Sequence, residues 1–242
     1  MQEFLKNKRA LVTGGTRGIG LEVARSLAKA GCGVVVCGRN SASIDAAVSE
    51  LQKSAVNGKV SGSIADVSDS EAVAQLFRCA DQVLGGLDIL INNAGSGIFR
   101  PAAEMTVEEW NHIIGTNLSG AFYCSREALS RFRNSGGGWI INISSLAGRN
   151  PMAGGAAYNA SKFGLNGMSE AIMLDHRYDD VRVSYVMPGS VDTDFGARER
   201  AEKSGWKIAP EDIAEIVLDI LRKPSRTLVS RVEVRPSKPQ RK

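Results

Sequence analysis

The feature that most constrains this chain is a strict alternation of strand-like and helix-like segments, opened by an apolar run that ends in glycines. Residues 9–13 are short and apolar, and Gly14-Gly15-Thr16-Arg17-Gly18-Ile19-Gly20 follows at once. Residues 21–30 have helical period and stop at Gly31; 34–37 are β-branched; 44–51 form an amphipathic helix; 60–64 form a weaker strand. Ser68 with Glu71 predicts a capping box that opens a helix to about residue 83, and Thr106 with Glu109 predicts a second that opens a helix to about 133. Between them lies a strand over 87–91. Further strands are expected over 139–143, 181–186 and 227–234, and further helices over 158–177 and 211–221, the last with Pro210 as its first residue. Each helix must carry the chain back across the sheet, so consecutive strands pair in parallel. The expectation is a single α/β domain over residues 1–242. It is a Rossmann-type, doubly wound, parallel seven-stranded sheet with helices on both faces, and a basic tail from about 236 to 242.

Charge and composition exclude several roles. Lys and Arg number 30 against 26 Asp and Glu, a net charge of +4. That is too weak and scattered for a nucleic-acid surface, and the tail charges Arg235, Lys238, Arg241 and Lys242 read as solvated. No apolar run approaches the ~18 residues of a membrane helix, and residues 1–9 lack the apolar core of a signal peptide. A cytoplasmic protein with no membrane partner is expected. Cys32, Cys37, Cys79 and Cys124 contain no CxxC pair, and His112 and His176 are far apart, so neither a metal site nor a disulfide is expected.

In such sheets ligands sit at the carboxyl ends of strands, where free N–H groups at helix N-termini favour anions. The spacing Gly14-x3-Gly18-x-Gly20 places glycines where backbone must approach a pyrophosphate. An NAD site carries an acid about twenty residues past the glycines. Here the second strand ends Val36-Cys37-Gly38-Arg39, with no carboxylate. Arg39, with Arg17 in the loop, suits the 2′-phosphate of NADP(H). Asp66 follows the third strand and is placed either for the adenine edge or to start a helix. Tyr158 and Lys162 stand at i and i+4 on one helix face. An ammonium there, with the positive nicotinamide of an oxidised cofactor, favours phenolate and is expected to lower the tyrosine from its ordinary ~10. Asn117 lies within the apolar stripe of its helix, where a buried amide needs partners: a structural bond, or a water held toward Lys162. Ser144-Ser145 close a strand at its carboxyl end, where a hydroxyl can donate to a carbonyl oxygen.

Together these residues closely resemble the short-chain dehydrogenase/reductase family, over nearly the whole chain. Thr13-Gly14-x3-Gly18-Ile19-Gly20 resembles its cofactor loop, Asn92-Asn93-Ala94-Gly95 its strand-four motif, and Pro188-Gly189 with Thr193 its nicotinamide-side loop. The resemblance implies a catalytic tetrad of Asn117, Ser145, Tyr158 and Lys162. Ser145 fits better than Ser144, standing thirteen residues before Tyr158. It also implies that Gly14, Thr16, Arg17, Gly18, Ile19, Gly20, Arg39, Asp66, Val67, Asn93, Ala94, Gly95, Tyr158, Lys162, Pro188, Gly189, Val191 and Thr193 hold NADP(H). The reaction implied is hydride exchange between the nicotinamide and a small carbonyl or alcohol substrate. Lys162 would bond the ribose, Tyr158 would act as acid or base, Ser145 would polarise the carbonyl oxygen and Asn117 would hold a relay water.

The chain departs from many relatives between the Pro-Gly loop and the last helix. Residues 195–207 are short and charged, a mobile lid or a surface helix. Its end is a charged strand and a Pro/Lys tail instead of the glycine-rich apolar terminus of acyl-thioester reductases, which leaves the substrate open. Pocket walls are expected at 96–99, 147–152, Gly189 and Phe195. The fourth and fifth helices have apolar faces to spare, as in family homodimers and homotetramers. Two other readings use the same loop: an NADPH-binding sensor without turnover, and a methyltransferase, which needs no arginines for a 2′-phosphate.

Overall fold

The computed structural model describes residues 4–56, 58–195 and 205–239. The chain runs β1 (Arg9–Val12), α1 (Gly18–Lys29), β2 (Gly33–Gly38), α2 (Ser41–Ser54), β3 (Val60–Ile64), α3 (Ser70–Leu84) and β4 (Ile89–Asn92). It continues through α4 (Val107–Ile114), a π turn (Gly115–Ser119), α5 (Gly120–Ser135), β5 (Gly138–Ile143), α6 (Ala156–His176), β6 (Val181–Pro188), α7 (Pro210–Leu221) and β7 (Arg231–Val234). All pairings are parallel, in the order β3-β2-β1-β4-β5-β6-β7. The order reverses between β1 and β4, which opens the crevice where ligands of such sheets bind.

Side-chain alternation along the strands sorts the core into two layers. Ala10, Val12, Val34, Val36, Ile89, Ile91 and Ile141 pack with Val23 and Leu27 of α1, Leu51 of α2 and Ile213 and Val217 of α7. Their neighbours Leu11, Val35, Leu90, Ile140 and Val183 point the other way, onto Leu76 and Phe77 of α3, Phe132 of α5 and Ile172 of α6. Burial on both faces is why the strands read as continuous apolar runs. Each fully buried Leu, Ile or Phe contributes about 1.5–3 kcal/mol, so the scaffold beneath the crevice is rigid.

Three local expectations are corrected. Ser68 does not cap α3: Asp69 does, accepting from the N–H groups of Glu71 and Ala72, while Ser68 donates through its amide and hydroxyl to Asp66. The adjacent aspartate is the stronger acceptor and displaces the serine by one residue. The Thr106–Glu109 capping box forms, but its helix is interrupted by the π turn, a feature common at functional sites. The last strand starts at Arg231 rather than 227, because a turn closed by Thr227 N–H on the Pro224 carbonyl delivers the chain to β6 only at the Tyr185–Arg231 register.

Candidate active site

Thr13 leaves β1 at the crevice and fastens it to the end of β4. Its hydroxyl accepts from the backbone N–H groups of Asn93 and Ala94, both at 3.0 Å. The Asn93 amide donates back to the carbonyls of Thr13 (3.1 Å) and Gly14 (2.9 Å). Asn93 and Ala94, expected as cofactor contacts, thus commit these groups to holding the glycine loop. The loop is packed too tightly for side chains. Gly14 has φ +61°, and a Cβ on Gly20 would lie 2.3 Å from both the Asn93 amide nitrogen and the Gly14 carbonyl oxygen. At the start of α1, Arg17 is extended and no side chain caps the helix, which leaves the first-turn N–H groups, those of Ile19 and Gly20 among them, for an anion. Thr193 packs its methyl over Gly18. A cradle of this shape with free amide donors fits a dinucleotide pyrophosphate.

At the far edge of the cradle Thr16 lies against Gly38 at the end of β2, next in sequence to Arg39, and both Arg17 and Arg39 are exposed. Asp66 is held below the usual carboxylate range: burial opposes its ionisation, but the Ser68 hydroxyl and amide and the charges of Arg39 and His112 outweigh it. Its carboxylate therefore shapes the bend before α3, three residues ahead of the capping Asp69. Val67 buries its side chain against Gly120 of α5, so only its backbone can face a ligand. Gly189, after β6, donates to the Val234 carbonyl, and Val191 pairs with Ile208 ahead of α7. That pairing fixes the Pro188–Thr193 stretch on the other side of the cradle.

At the same strand ends α6 presents Tyr158 and Lys162, as their spacing predicts. The Lys162 ammonium is buried, donates to the Ile143 carbonyl at 2.9 Å and stands 5.8 Å from the centre of the Tyr158 ring. Burial pushes Lys162 down from 10.5 to about 8. The protein's own groups work against an acidic phenol. Burial raises Tyr158 above its ordinary 10, and only a hydrogen bond with Ser145 works the other way. Ser145 meets Tyr158, whereas Ser144 turns away to Asn166. Asn117, in the π turn, donates to the Ser96 carbonyl (2.9 Å) and the Ser161 hydroxyl (3.1 Å) and accepts from the Ser96 N–H (2.8 Å). One lone pair of its oxygen is left for the expected water. Gly95 keeps room for it: a Cβ there would lie 3.5 Å from Asn117 Oδ1 and 3.9 Å from Lys162 Nζ.

Several contributors had no sequence signal. Asn159, next to Tyr158, donates to the Ala147 and Asn150 carbonyls and accepts from Met152 N–H, which pins the 147–152 loop. His112 meets the Ser96 hydroxyl at 3.1 Å. Phe99 and Phe195, expected only as pocket walls, both pack on the Tyr158 ring, with centroids 5.4 and 5.7 Å away. Of the 195–207 segment, residues 196–204 lie outside the described residues, as do 240–242 of the tail.

Comparison with known proteins agrees with this geometry. Residues 8–204 match the pattern of the short chain dehydrogenases, and the chain belongs to that family. It is 35% identical to an uncharacterised oxidoreductase of Staphylococcus saprophyticus, covering 96% of this chain and 98% of the relative. A metagenomic short-chain oxidoreductase solved in complex with NADP superposes with a TM-score of 0.85 at 36% identity, over 97% of this chain and 99% of that one. An alcohol dehydrogenase from the archaeon Thermococcus sibiricus, complexed with 5-hydroxy-NADP, gives 0.89 at 27% identity over the same shares. The protein is an oxidoreductase of this family. Among the described residues no helix is long and apolar enough to cross a membrane.

Proposed function

We propose that the whole chain acts as one cytoplasmic, NADP(H)-dependent carbonyl reductase or alcohol dehydrogenase, with Tyr158 as its acid and base. The observation that carries this reading is the convergence of Tyr158, Ser145 and the buried Lys162 ammonium beside the glycine cradle. NADPH, when bound, supplies the hydride. Lys162 bonds its ribose, and Tyr158 gives its hydroxyl proton to the carbonyl oxygen. Ser145 donates to that same oxygen, and Asn117 fixes the Ser96 turn and holds water toward Lys162. Burial keeps the phenol protonated at neutral pH, the state reduction requires. A screen of carbonyl compounds for NADPH consumption at 340 nm tests the reading. Turnover supports it; tight NADPH binding with no turnover across the screen would favour a sensor.

Arg17 and Arg39 support NADP(H) over NAD(H), because a guanidinium matches a phosphate in charge and geometry. Both structural relatives described above carry an NADP-type ligand. Charge-assisted bonds contribute about 1.5–3 kcal/mol, so Arg39→Ala is expected to lower the NADPH:NADH ratio of kcat/KM by about 10–100-fold. Equal or better use of NADH by the unaltered protein would contradict the arginine pair.

A homodimer or homotetramer is supported by Phe122 on α5 and Phe163 and Leu174 on α6, large apolar side chains exposed on the single chain. Sedimentation velocity is expected to give two or four times the monomer mass; a monomer at micromolar concentration would contradict it.

A further inference from the structure

We propose that Phe99 and Phe195 form an aromatic slot over Tyr158 that selects neutral aryl aldehydes and ketones over aliphatic and anionic ones. This rests on the carbonyl-reducing reading above and names its substrate class. The Phe99 ring meets the Tyr158 ring edge-on, at 63° between planes, and Phe195 is tilted against it at 52°. Tyr158 is 9% exposed, while Phe99 and Phe195 are 44% and 41% exposed. Each ring therefore has one side on the tyrosine and another open to solvent. A carbonyl compound whose oxygen reaches the Tyr158 hydroxyl must lay its substituent against these two rings.

The slot is built into the backbone. A Cβ on Gly97 would lie 2.8 Å from Phe195 Cε1 and 3.0 Å from Phe99 Cε2, so glycine at that position lets the two rings approach each other. The Arg100 N–H donates to the Gly154 carbonyl at 2.8 Å, which ties the Phe99 strand of loop to the segment entering α6. The substrate's expected neutrality follows from the flanking charges. Among the described residues, Arg100 pairs with Glu109 at 2.8 Å and Arg149 pairs with Glu233, so the arginines described on the 96–100 and 147–152 loops have carboxylate partners.

Aromatic pairs with centroids 4.5–7 Å apart gain energy beyond burial, equivalent to about 2- to 10-fold in affinity per pair. The test measures kcat/KM with NADPH for benzaldehyde, cyclohexanecarboxaldehyde and 4-carboxybenzaldehyde, in the unaltered protein and in Phe99→Leu, Phe195→Leu and Gly97→Ala. Intrinsic aldehyde reactivity cancels when the benzaldehyde:cyclohexanecarboxaldehyde ratio is compared between proteins. That ratio is expected to fall about 2- to 10-fold in each leucine variant and to fall in Gly97→Ala, whose methyl drives the rings apart. In the unaltered protein 4-carboxybenzaldehyde is expected to be used less well than benzaldehyde. A ratio unchanged in the folded variants, or preference for the carboxylated aldehyde, overturns the slot while leaving the carbonyl-reducing reading intact. No turnover of the three aldehydes by the unaltered protein overturns the slot, and no turnover across the wider screen of carbonyl compounds overturns the carbonyl-reducing reading with it. Melting temperatures identify any variant that fails to fold, and Gly97→Ala then stands in for it, since it alters the slot while keeping both phenylalanines.

Discussion

Tyr158→Phe is expected to lower kcat for carbonyl reduction by about 10²–10⁴-fold, the usual contribution of a positioned acid, while NADPH binds with little change. The substitution removes one oxygen and leaves the ring packed between Phe99 and Phe195, so the fold and the cradle are untouched. What disappears is the only described group that both hydrogen-bonds with Ser145 and stands over Lys162. Steady-state rates at 340 nm and NADPH fluorescence titration separate chemistry from binding. Turnover within a few-fold of the unaltered protein would remove Tyr158 from the proton transfer.

Lys162→Met is expected to damage both steps, with kcat/KM for NADPH-driven reduction falling by about 10²–10⁴-fold, combining a lost charge-assisted cofactor bond with lost proton transfer. A change confined to kcat would show that the lysine does not hold cofactor. The same variant has a signature in stability that needs no substrate. Lys162 titrates near 8 in the folded chain against 10.5 ordinarily. Between those values the unfolded chain binds more protons, so stability rises with pH across the window. Below pH 8 the ammonium is charged in both states and the slope vanishes. Urea unfolding at pH 7 and pH 10.5 is therefore expected to show the unaltered protein gaining up to about 3 kcal/mol relative to Lys162→Met. Parallel behaviour of the two proteins would mean that the ammonium is solvated.

The sheet was legible because strands buried on both faces leave continuous apolar runs, and because helices at each interval dictate parallel pairing. The glycine loop was legible because close backbone approach permits no alternative residue at Gly14 or Gly20. Helical spacing put Tyr158 and Lys162 on one face, and Asn117, Ser145 and the family resemblance together made that pair a site. What stayed hidden depends on contacts between distant segments. The π turn leaves no mark in hydrophobic period, yet it sets the Asn117 amide against Ser96 and Ser161. Asn159 reads as an ordinary helical polar residue until the 147–152 loop folds onto it. The upward push of the protein on the tyrosine stayed hidden because charge proximity is readable from i, i+4 spacing and desolvation is not. Burial raises the phenol and lowers the ammonium, and it depends on segments far from α6 in sequence, among them Phe99 and Phe195 on the Tyr158 ring and the Ile143 carbonyl on Lys162.

The account stands on a phenol placed to trade a proton beside a bound nicotinamide. A crystal structure of the protein with NADP tests this most directly. The predicted result has the Tyr158 hydroxyl facing the nicotinamide ring, with Lys162 on the adjoining ribose and the pyrophosphate over Gly14–Gly20. A complex in which the Tyr158 hydroxyl points away from the nicotinamide, or in which the dinucleotide lies outside the β1–β4 crevice, would contradict it.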